Sequence, residues 1–342
     1  MRISNSRIGA AGLLAMSMIS VPAHAQSPAE FYAGKTMDMI IGSLVGNDFD
    51  LRGRLLSRHM GKFIPGKPEI RARNMPGGGG VIALNHMATR APHDGTVLHM
   101  VFPNMGTVQA TGQVGVQFDL RKFYFIGNTT NSPNILNIWH TSDIRTIEDA
   151  KKREVVLGAN PGITGIYYAR ALNEMIGTKF RLVTGYPGGG QINLAMERGE
   201  VEGRASNTWA SWKATKPDWV AEKKFHVLFQ VGRERHPELR DVPLMTELAT
   251  NEADRKLLLF LSEPIAIARA VVTTPGVPPE RVEALRRAFD AVMKDPVFIE
   301  EATKMSLDLD HMTGEEAQKI SDSVVNAPPE IIERAKRIMD GQ

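Results

Sequence analysis

The stretch NMPGGG at residues 74–79 has a counterpart in GYPGGG at residues 185–190. Each stretch follows an earlier loop that contains glycine. Each precedes a helical pattern, then an acidic or glycine-containing turn, then a strand. A single Pro-Gly-Gly-Gly pair would be weak support for a repeat, but the matching order of elements around it is stronger. We interpret the two stretches as equivalent loops in two lobes of similar α/β construction.

Strands and helices alternate around both glycine stretches. In the first half we predict strands over 37–43, 70–73 and 96–102, with helices over 51–63 and 81–91. In the second half we predict strands over 155–157, 181–184 and 203–206, with helices over 166–176 and 192–198. Such alternation predicts parallel sheets with helices on their faces.

The C-terminal part of the chain has helical patterns. Val282, Leu285, Phe289 and Val292 form one apolar stripe in a helix that begins at Pro278-Pro279. Two further helices are predicted over 296–305 and 328–339. Thr313-Gly314-Glu315-Glu316 has the pattern of a helix N-cap with acidic residues in the first turn.

Residues 1–25 have the features of a cleavable secretory signal. Two arginines precede an uncharged apolar run at residues 8–21, and Ala23-His24-Ala25 places small residues where cleavage after Ala25 requires them. The run is shorter than the roughly 20 residues that span a bilayer. The alternative is an uncleaved anchor or a core helix. No later segment approaches 18 uncharged apolar residues, so we predict an exported protein of the bacterial periplasm.

Composition excludes several classes of protein. The chain has 342 residues, enough for about two domains, and no cysteine. It therefore lacks disulfides, a thiolate nucleophile, cysteine-based metal sites and a lipidated cysteine. Without residues 1–25 it has 39 basic against 38 acidic residues. This balance gives no reason to expect nucleic acid or an anionic membrane surface as partner.

The sequence has no recognisable catalytic or metal-binding motif. Residues 61–68 imitate a phosphate-binding P-loop, but Pro68 stands where a magnesium-binding hydroxyl is needed. The chain has neither a G-x-S-x-G nor an H-E-x-x-H sequence. The densest histidines, His86, His93 and His99, lack the spacing of a helical metal face. We predict a protein that is not an enzyme and uses no cofactor and no metal.

Four glycine-containing loops are candidates for anion binding. The segments 43–48, 74–80, 160–165 and 186–191 contain no basic residue. Backbone amides in such loops, together with helix N-termini, bind anions such as carboxylates. The alternative is that the glycines only allow tight turns. Loops at the carboxyl ends of strands in two lobes would face a common crevice, where open α/β sheets place ligands.

At this point the residues resemble those of a known family. The matching stretches are Phe31-Tyr32-x-Gly34-Lys35, Asp50-x-x-x-Arg54, residues 74–79 followed by Asp94-Gly95-Thr96, residues 158–165, residues 185–189, Asp241-Val242-Pro243 with Glu247, and Pro275-Gly276-Val277-Pro278. In this order they resemble the substrate-binding receptors of tripartite tricarboxylate transporters, also called the Bug family. The resemblance covers nearly the whole chain after residue 25.

The resemblance implies a fold and a function. The fold is a two-lobe periplasmic-binding-protein fold of type II, which closes on its ligand like a flytrap, and each lobe is a mostly parallel sheet flanked by helices. Lobe one would contain residues 26–127 and 233–342, and lobe two residues 128–232. The expected protein is a monomer that passes a small carboxylate to a membrane permease. The alternatives are a sensor that signals to a membrane kinase or, further off, an exported hydrolase.

The resemblance also implies the ligand-binding residues. In the family, loops of both lobes grip one carboxylate, largely through backbone amides and ordered water. The candidates are Ser43, Gly46, Asn47, Asp48 and Asn104 on lobe one, with Asn160, Gly162, Thr164, Gly165, Ser206 and Asn207 on lobe two.

Two features of the sequence depart from a site for a plain citrate-like ligand. Asp48 would repel a carboxylate if it pointed inward, so it either binds an ammonium or hydroxyl group or faces solvent. Trp209 and Trp212 either stack on an aromatic acid or pack in the core, the commoner role.

Overall fold

A computed structural model describes residues 26–160 and 164–341. The predicted signal segment, residues 1–25, and the candidate residue Gly162 lie outside the described residues. Within the described ranges, no helix is long and apolar enough to cross a membrane.

The strands of the described chain belong to two sheets. They are β1 (Thr36–Ile41), β2 (Glu69–Asn74), β3 (Val97–Met100), β4 (Tyr124–Asn128), β5 (Asn134–Trp139), β6 (Val155–Gly158), β7 (Phe180–Val183), β8 (Gly203–Thr208), β9 (Phe225–Val231), β10 (Ala270–Thr273) and β11 (Met312–Thr313).

Helices connect and cover these strands. They are α1 (Pro28–Tyr32), α2 (Asp48–His59), α3 (Val81–Thr89), α4 (Met105–Ala110), α5 (Ile147–Lys152), α6 (Thr164–Ile176), α7 (Gly189–Glu197), α8 (Trp209–Thr215), α9 (Pro217–Ala221), α10 (Glu252–Ser262), α11 (Pro279–Val292), α12 (Pro296–Lys304), α13 (Gly314–Val325) and α14 (Pro329–Asp340).

The two sheets share one pattern of strand order and direction. The first sheet has the order β11-β4-β10-β3-β1-β2, and the second has the order β7-β6-β8-β5-β9. In the first sheet β1 to β4 run in one direction, and only β10 and β11 are reversed. In the second sheet β6 to β9 run in one direction, and only β5 is reversed. The prediction of mostly parallel sheets is therefore confirmed.

The chain crosses between the sheets twice. It leaves the first sheet after β4, enters the second at β5, and returns from β9 to β10. The strand that follows each crossing is one of the reversed strands. The crossings lie side by side, because the Asn128 side chain donates to the Thr130 carbonyl at 2.9 Å and accepts the Arg269 amide at 2.9 Å.

The strands predicted from the sequence are parallel strands of both sheets that lie away from the crossings. The predictions over 37–43, 70–73, 96–102, 155–157, 181–184 and 203–206 correspond to β1, β2, β3, β6, β7 and β8. No strand was predicted at β4, β5, β9, β10 or β11. Every residue of β5 and β10 is buried, so neither strand shows the alternation of a half-exposed strand.

The C-terminal helices pack as the sequence predicts. The stripe residues Val282, Leu285, Phe289 and Val292 are all buried in a core cluster that contains Met39 of β1. Helices α10 and α14 also pack against α6 of the second sheet. The predicted lobe boundaries at residues 127/128 and 232/233 stay a prediction.

The predicted cap at Thr313 is confirmed. Thr313 Oγ1 accepts the Glu316 amide at 3.3 Å, and Glu316 Oε2 accepts the Thr313 amide at 3.0 Å. This reciprocal pair satisfies two donors at the start of α13, which packs against β4.

We expect Thr313→Ala to lower the free energy of unfolding by about 0.5–2 kcal/mol, because the amides at the start of α13 lose an acceptor. Thr313→Ser should keep most of the stability. The matched control is Thr303→Ala, which removes a hydroxyl from the exposed face of α12 and should change stability by less than about 0.5 kcal/mol. Urea unfolding measures all three. Equal losses at Thr313 and Thr303 would contradict a capping role.

Candidate functional site

A cleft of about 740 Å³ lies between the two sheets. Its walls are loops that follow the carboxyl ends of β1, β2 and β3 on one side and of β6, β7 and β8 on the other. The sequence analysis predicted this common crevice. The predicted residues that line it are Ser43, Gly46, Asn47, Asp48, Asn104, Asn160, Thr164, Ser206 and Asn207.

The loop after β1 is held in place by hydrogen bonds to its neighbours. Asn47 caps α2 by accepting the Asp50 amide at 3.1 Å, and it also accepts the Ser43 hydroxyl at 3.0 Å. Asp50 accepts the Gly46 amide at 2.9 Å. Asn74, from the first glycine stretch, donates to the Ser43 carbonyl at 3.0 Å and to Asp50 at 2.9 Å.

The Asp50-x-x-x-Arg54 motif completes this network. Arg54 donates to Asp50 at 2.9 Å across one turn of α2, and to Asn74 at 2.7 Å. Burial disfavours the charged form of Asp50, but the hydrogen bonds from Arg54, Gly46 and Asn74 outweigh burial. The pKa of Asp50 therefore lies below its usual value. Two separate motifs of the family resemblance thus fix one loop of the cleft.

Asp48 lies in the cleft floor, and the expectation that it faces solvent is wrong. Its side chain is 1% exposed. Its two carboxylate oxygens accept from different arginines: Oδ1 from Arg52 at 2.9 Å, and Oδ2 from Arg269. Burial disfavours ionisation, but the two guanidinium groups outweigh it, so the pKa of this carboxyl lies below its usual value. Because both oxygens are engaged, Asp48 is not left as a free charge that would repel a ligand.

Arg269 links this buried group to the second sheet. It lies at the end of the second crossing, and its Nη2 donates to Thr208 Oγ1 at 2.9 Å. Thr208 is also the N-cap of α8, accepting the Ser211 amide at 3.1 Å. The guanidinium lies over the ring of Phe49, 3.9 Å from its centroid. The Arg52–Asp48–Arg269 group therefore joins α2, a crossing and the end of β8.

Polar side chains form the facing wall. Asn160 donates to the Tyr186 carbonyl at 2.8 Å, which ties the loop after β6 to the second glycine stretch. Thr164 Oγ1 accepts from Asn134 at 3.1 Å. Gly165 is not among the residues that line the cleft. A Cβ atom there would lie 2.6 Å from the Cβ of Ser206, so this glycine lets α6 approach β8.

The cleft carries an excess of positive charge that the sequence analysis missed. Its ionised lining residues are Asp48, Arg204, Lys216 and Arg269. Asp48 is already paired with Arg269, and Lys216 lies 3.8 Å from a carboxylate oxygen of Glu197 outside the lining. Arg204 has no such carboxylate partner among the described residues. Burial lowers the pKa of Arg204 to about 10, which leaves it protonated at neutral pH. The four glycine-containing loops contain no basic residue, and Arg204 comes from a strand, β8.

Trp209 and Trp212 pack in the core of the second sheet. Trp212 is fully buried and stacks on Trp219, with ring centroids 5.6 Å apart. Trp209 is 8% exposed and donates to Glu238 at 2.6 Å. Neither ring lines the cleft, so the packing interpretation is correct and ligand stacking is not supported.

Acidic and imidazole side chains do not form a metal site in the described part of the chain. No group of three or more His, Asp or Glu residues at 26–160 and 164–341 could hold an ion. His99, from the densest histidine group in the sequence, is buried, and its Nδ1 lies 3.0 Å from the Ile40 carbonyl. Burial lowers the pKa of His99 to about 4, as expected for a neutral core histidine.

The chain belongs to the tripartite tricarboxylate transporter family of receptors, whose family model matches residues 59–336. Members are periplasmic substrate-binding proteins and not enzymes, in agreement with the sequence prediction. A Cupriavidus necator relative, the UPF0065 protein in the gbd 5' region, is 23% identical over 334 residues, covering 95% of this chain and 94% of its own length.

Solved structures share the fold. An R. palustris protein with adipate is 17% identical with a TM-score of 0.66, over 88% of this chain and 97% of its own. MatC from Rhodopseudomonas palustris with bound malate is 17% identical with a TM-score of 0.64, over 90% and 99%. The periplasmic binding protein BugD is 18% identical with a TM-score of 0.65, over 90% and 98%. The expected two-lobe binding-protein fold is therefore confirmed.

We expect Asp48→Asn to lower the free energy of unfolding by about 3–5 kcal/mol, because it leaves two buried guanidinium groups without their carboxylate. The matched control is Asp38→Asn, which breaks an exposed pair with Arg73 at 2.8 Å and should cost less than about 1 kcal/mol. Urea unfolding at neutral pH measures both. Similar losses of unfolding free energy in the two variants would show that the buried Arg52–Asp48–Arg269 group stabilises the fold no more than an exposed ion pair does.

The same pair of proteins gives a pH test. The lowered pKa of Asp48 adds stability above the pKa of about 3.9 that an aspartate has in the unfolded chain. That stability is lost as the pH falls through the lower pKa of the folded state. The difference between wild type and Asp48→Asn should therefore shrink below about pH 4. A constant difference across this range would contradict the assignment.

Proposed function

We propose that this chain is exported through a signal peptide cleaved after Ala25 and captures a small carboxylate between two lobes, which it delivers to a transporter permease. The observation that carries the proposal is the cleft itself, with loops from both sheets facing each other and cationic side chains in excess. Lobe one would contain residues 26–127 and 233–342, and lobe two residues 128–232. We propose a monomer, because the lobes must move freely.

The lobe-one loop and the start of α2 are the proposed grip for one carboxylate. Ser43, Gly46 and Asn47 precede this helix of 12 residues, whose N-terminal amides favour an anion. Asn104 lies at the same wall, after β3. The Gly46 amide donates to Asp50, and Asn74 donates to the Ser43 carbonyl. These hydrogen bonds fix the loop before any ligand arrives, which lowers the ordering cost of binding.

The lobe-two side of the grip would be supplied by the loop after β6 and the end of β8. Asn160 and Thr164 border the first of these, and Ser206 and Asn207 the second. We also assign Gly162 to this grip, on the family resemblance. Gly165 would act through packing and not by contact. A ligand that touches both walls binds the closed form better than the open form, and closing requires nothing further.

We expect the protein comprising residues 26–342, refolded without carried-over ligand, to be stabilised by carboxylates in a thermal-shift panel. The panel contains monocarboxylates, dicarboxylates, tricarboxylates, aromatic acids and amino acids. A ligand at 100 times its dissociation constant adds about 2.7 kcal/mol. This shifts the melting temperature by several degrees. If no acid of the panel raises the melting temperature of the well-folded protein, the proposal is overturned.

The control for this panel is a pair of glycine variants. Gly46 has φ +84° and Gly34 has φ +69°, and a Cβ atom at either would meet nothing within 4 Å. Gly46→Val and Gly34→Val therefore carry similar backbone strain, but only Gly46 lines the cleft. Gly46→Val should abolish the ligand shift and Gly34→Val should keep it. Unfolding of Gly46→Val alone would show that this glycine is structural.

Transport and sensing give different outcomes in cells. We expect cells that lack this protein to lose uptake of the radiolabelled acid found in the panel, and the wild-type gene to restore it. Gly46→Val should fail to restore uptake, while Gly34→Val should succeed. Normal uptake without the protein, together with a lost transcriptional response to the same acid, would favour the sensor.

A further inference from the structure

Arg204 is a charged group in the cleft without an anionic partner. It lies on β8, and among residues 26–160 and 164–341 no carboxylate comes within 4 Å of its guanidinium. Its Nη1 donates to the amide oxygen of Asn193 at 3.3 Å. Its Nε has no accessible surface and no partner in the described chain. The guanidinium therefore has no counter-charge among the described residues.

The packing around Arg204 fixes the guanidinium at the start of α7. A Cβ atom on Gly189 would lie 2.4 Å from Nη2 and 2.8 Å from Nη1, so the guanidinium rests on the bare backbone of this glycine. The Trp212 ring also lies beside it, with 5.4 Å between the ring centroid and Cζ of Arg204. A cation held this way has little freedom to leave the wall for solvent.

Arg204 is partly buried, and its Nε is fully buried. Withdrawing a guanidinium from water without a counter-charge is costly, and proteins usually pair such groups. Arg269, the other arginine of the cleft, follows that rule through Asp48. Arg204 is the exception, and its position beside the open volume of the cleft lets a ligand supply the missing anion. A bound anion here would also face the N-terminal end of α7, which favours negative charge.

We propose that Arg204 binds a second anionic group of the ligand, so that this receptor selects molecules with two acidic groups over monoacids. The inference rests on the proposed function, in which the lobe-one loop holds the first carboxylate. Two anionic groups, one at each wall, place the ligand across the cleft. Lobe closure then brings the distal acid to Arg204, which makes this residue a determinant of specificity.

The test measures affinity for diacids and for their half-esters. Isothermal titration uses the protein comprising residues 26–342 with succinate, glutarate and adipate, and with the monomethyl ester of each. We expect wild type to bind at least one diacid ten or more times tighter than its ester. Arg204→Gln should lower the affinity for that diacid by about 10- to 100-fold, which is the range expected when a hydrogen bond to a charged group is lost. It should change the ester affinity by less than about threefold.

A charge-matched control is Arg198→Gln. Arg198 follows α7, its side chain is 67% exposed, and it does not line the cleft. This variant removes the same unit of charge from the same lobe. It should leave the affinity for both the diacid and the ester unchanged. An equal loss of diacid affinity in both variants would show a long-range charge effect and would overturn the proposal.

A second variant keeps the test valid if Arg204→Gln does not fold. Gly189→Ala retains the arginine but adds a methyl group where the guanidinium lies, so the end of that side chain must move. This variant should bind the diacid more weakly and bind the half-ester as tightly as wild type does. If Gly189→Ala lowers the affinities for the diacid and the half-ester equally, or lowers neither affinity, Arg204 has only a structural role.

The outcomes separate this inference from the proposed function. If wild type binds diacids and half-esters equally well, the receptor function stands and the role of Arg204 is overturned. If wild type binds neither class nor any other acid of the panel, both proposals fail. Selective loss of diacid affinity in Arg204→Gln or Gly189→Ala supports both.

Discussion

The carboxylate of Asp48 is the constraint on which the site depends. It neutralises one of two buried arginines, and those arginines reach two further parts of the fold. Arg52 donates to the carbonyl of Asp308 at 2.7 Å, and Arg269 reaches Thr208 at the end of β8. Through this group the first turn of α2, the returning crossing and the second sheet are held in register. Because two guanidinium groups share one carboxylate, the net charge of the group is +1, which favours an anion at the cleft floor.

Much of the fold could be predicted because its parallel strands and glycine loops leave local signals. Strand β6 (VVLG) is a short apolar run that ends in glycine, and β2 (EIRARN) and β7 (FRLV) each come shortly before a Pro-Gly-Gly-Gly stretch. The C-terminal helix α11 carries an apolar stripe at a 3.6-residue period. The strands β5 and β10 leave no such signal, because all their residues are buried. Their reversed direction follows from the path of the chain between sheets, which is information that no local pattern contains.

The candidate site was predicted less completely, for two physical reasons. Loops with exposed amides are visible in sequence, so most of the cleft-lining residues at strand ends were found. Pairings across the chain are not visible: Asp48 and Arg269 are 221 positions apart, and nothing local in Asp48 shows that its charge is compensated. Arg204 was not predicted because it is the second residue of β8, near the amino end of the strand, and not a loop residue. Its long side chain nevertheless lines the cleft, which no local pattern in the sequence shows.

The central place of β10 has a consequence for how the chain folds as it is made. Residues 134–231 supply every strand of the second sheet, so that sheet can be completed from one continuous segment. The first sheet cannot, because β10 lies between β3 and β4 and is formed only by residues 270–273. Until those residues are available, the edge of β3 stays unpaired and β4 has no partner strand beside it. The open edge of β3 therefore stays exposed while more than half of the chain emerges. An exposed strand edge can pair with other chains and cause aggregation, which a chaperone that holds the unfinished chain would prevent.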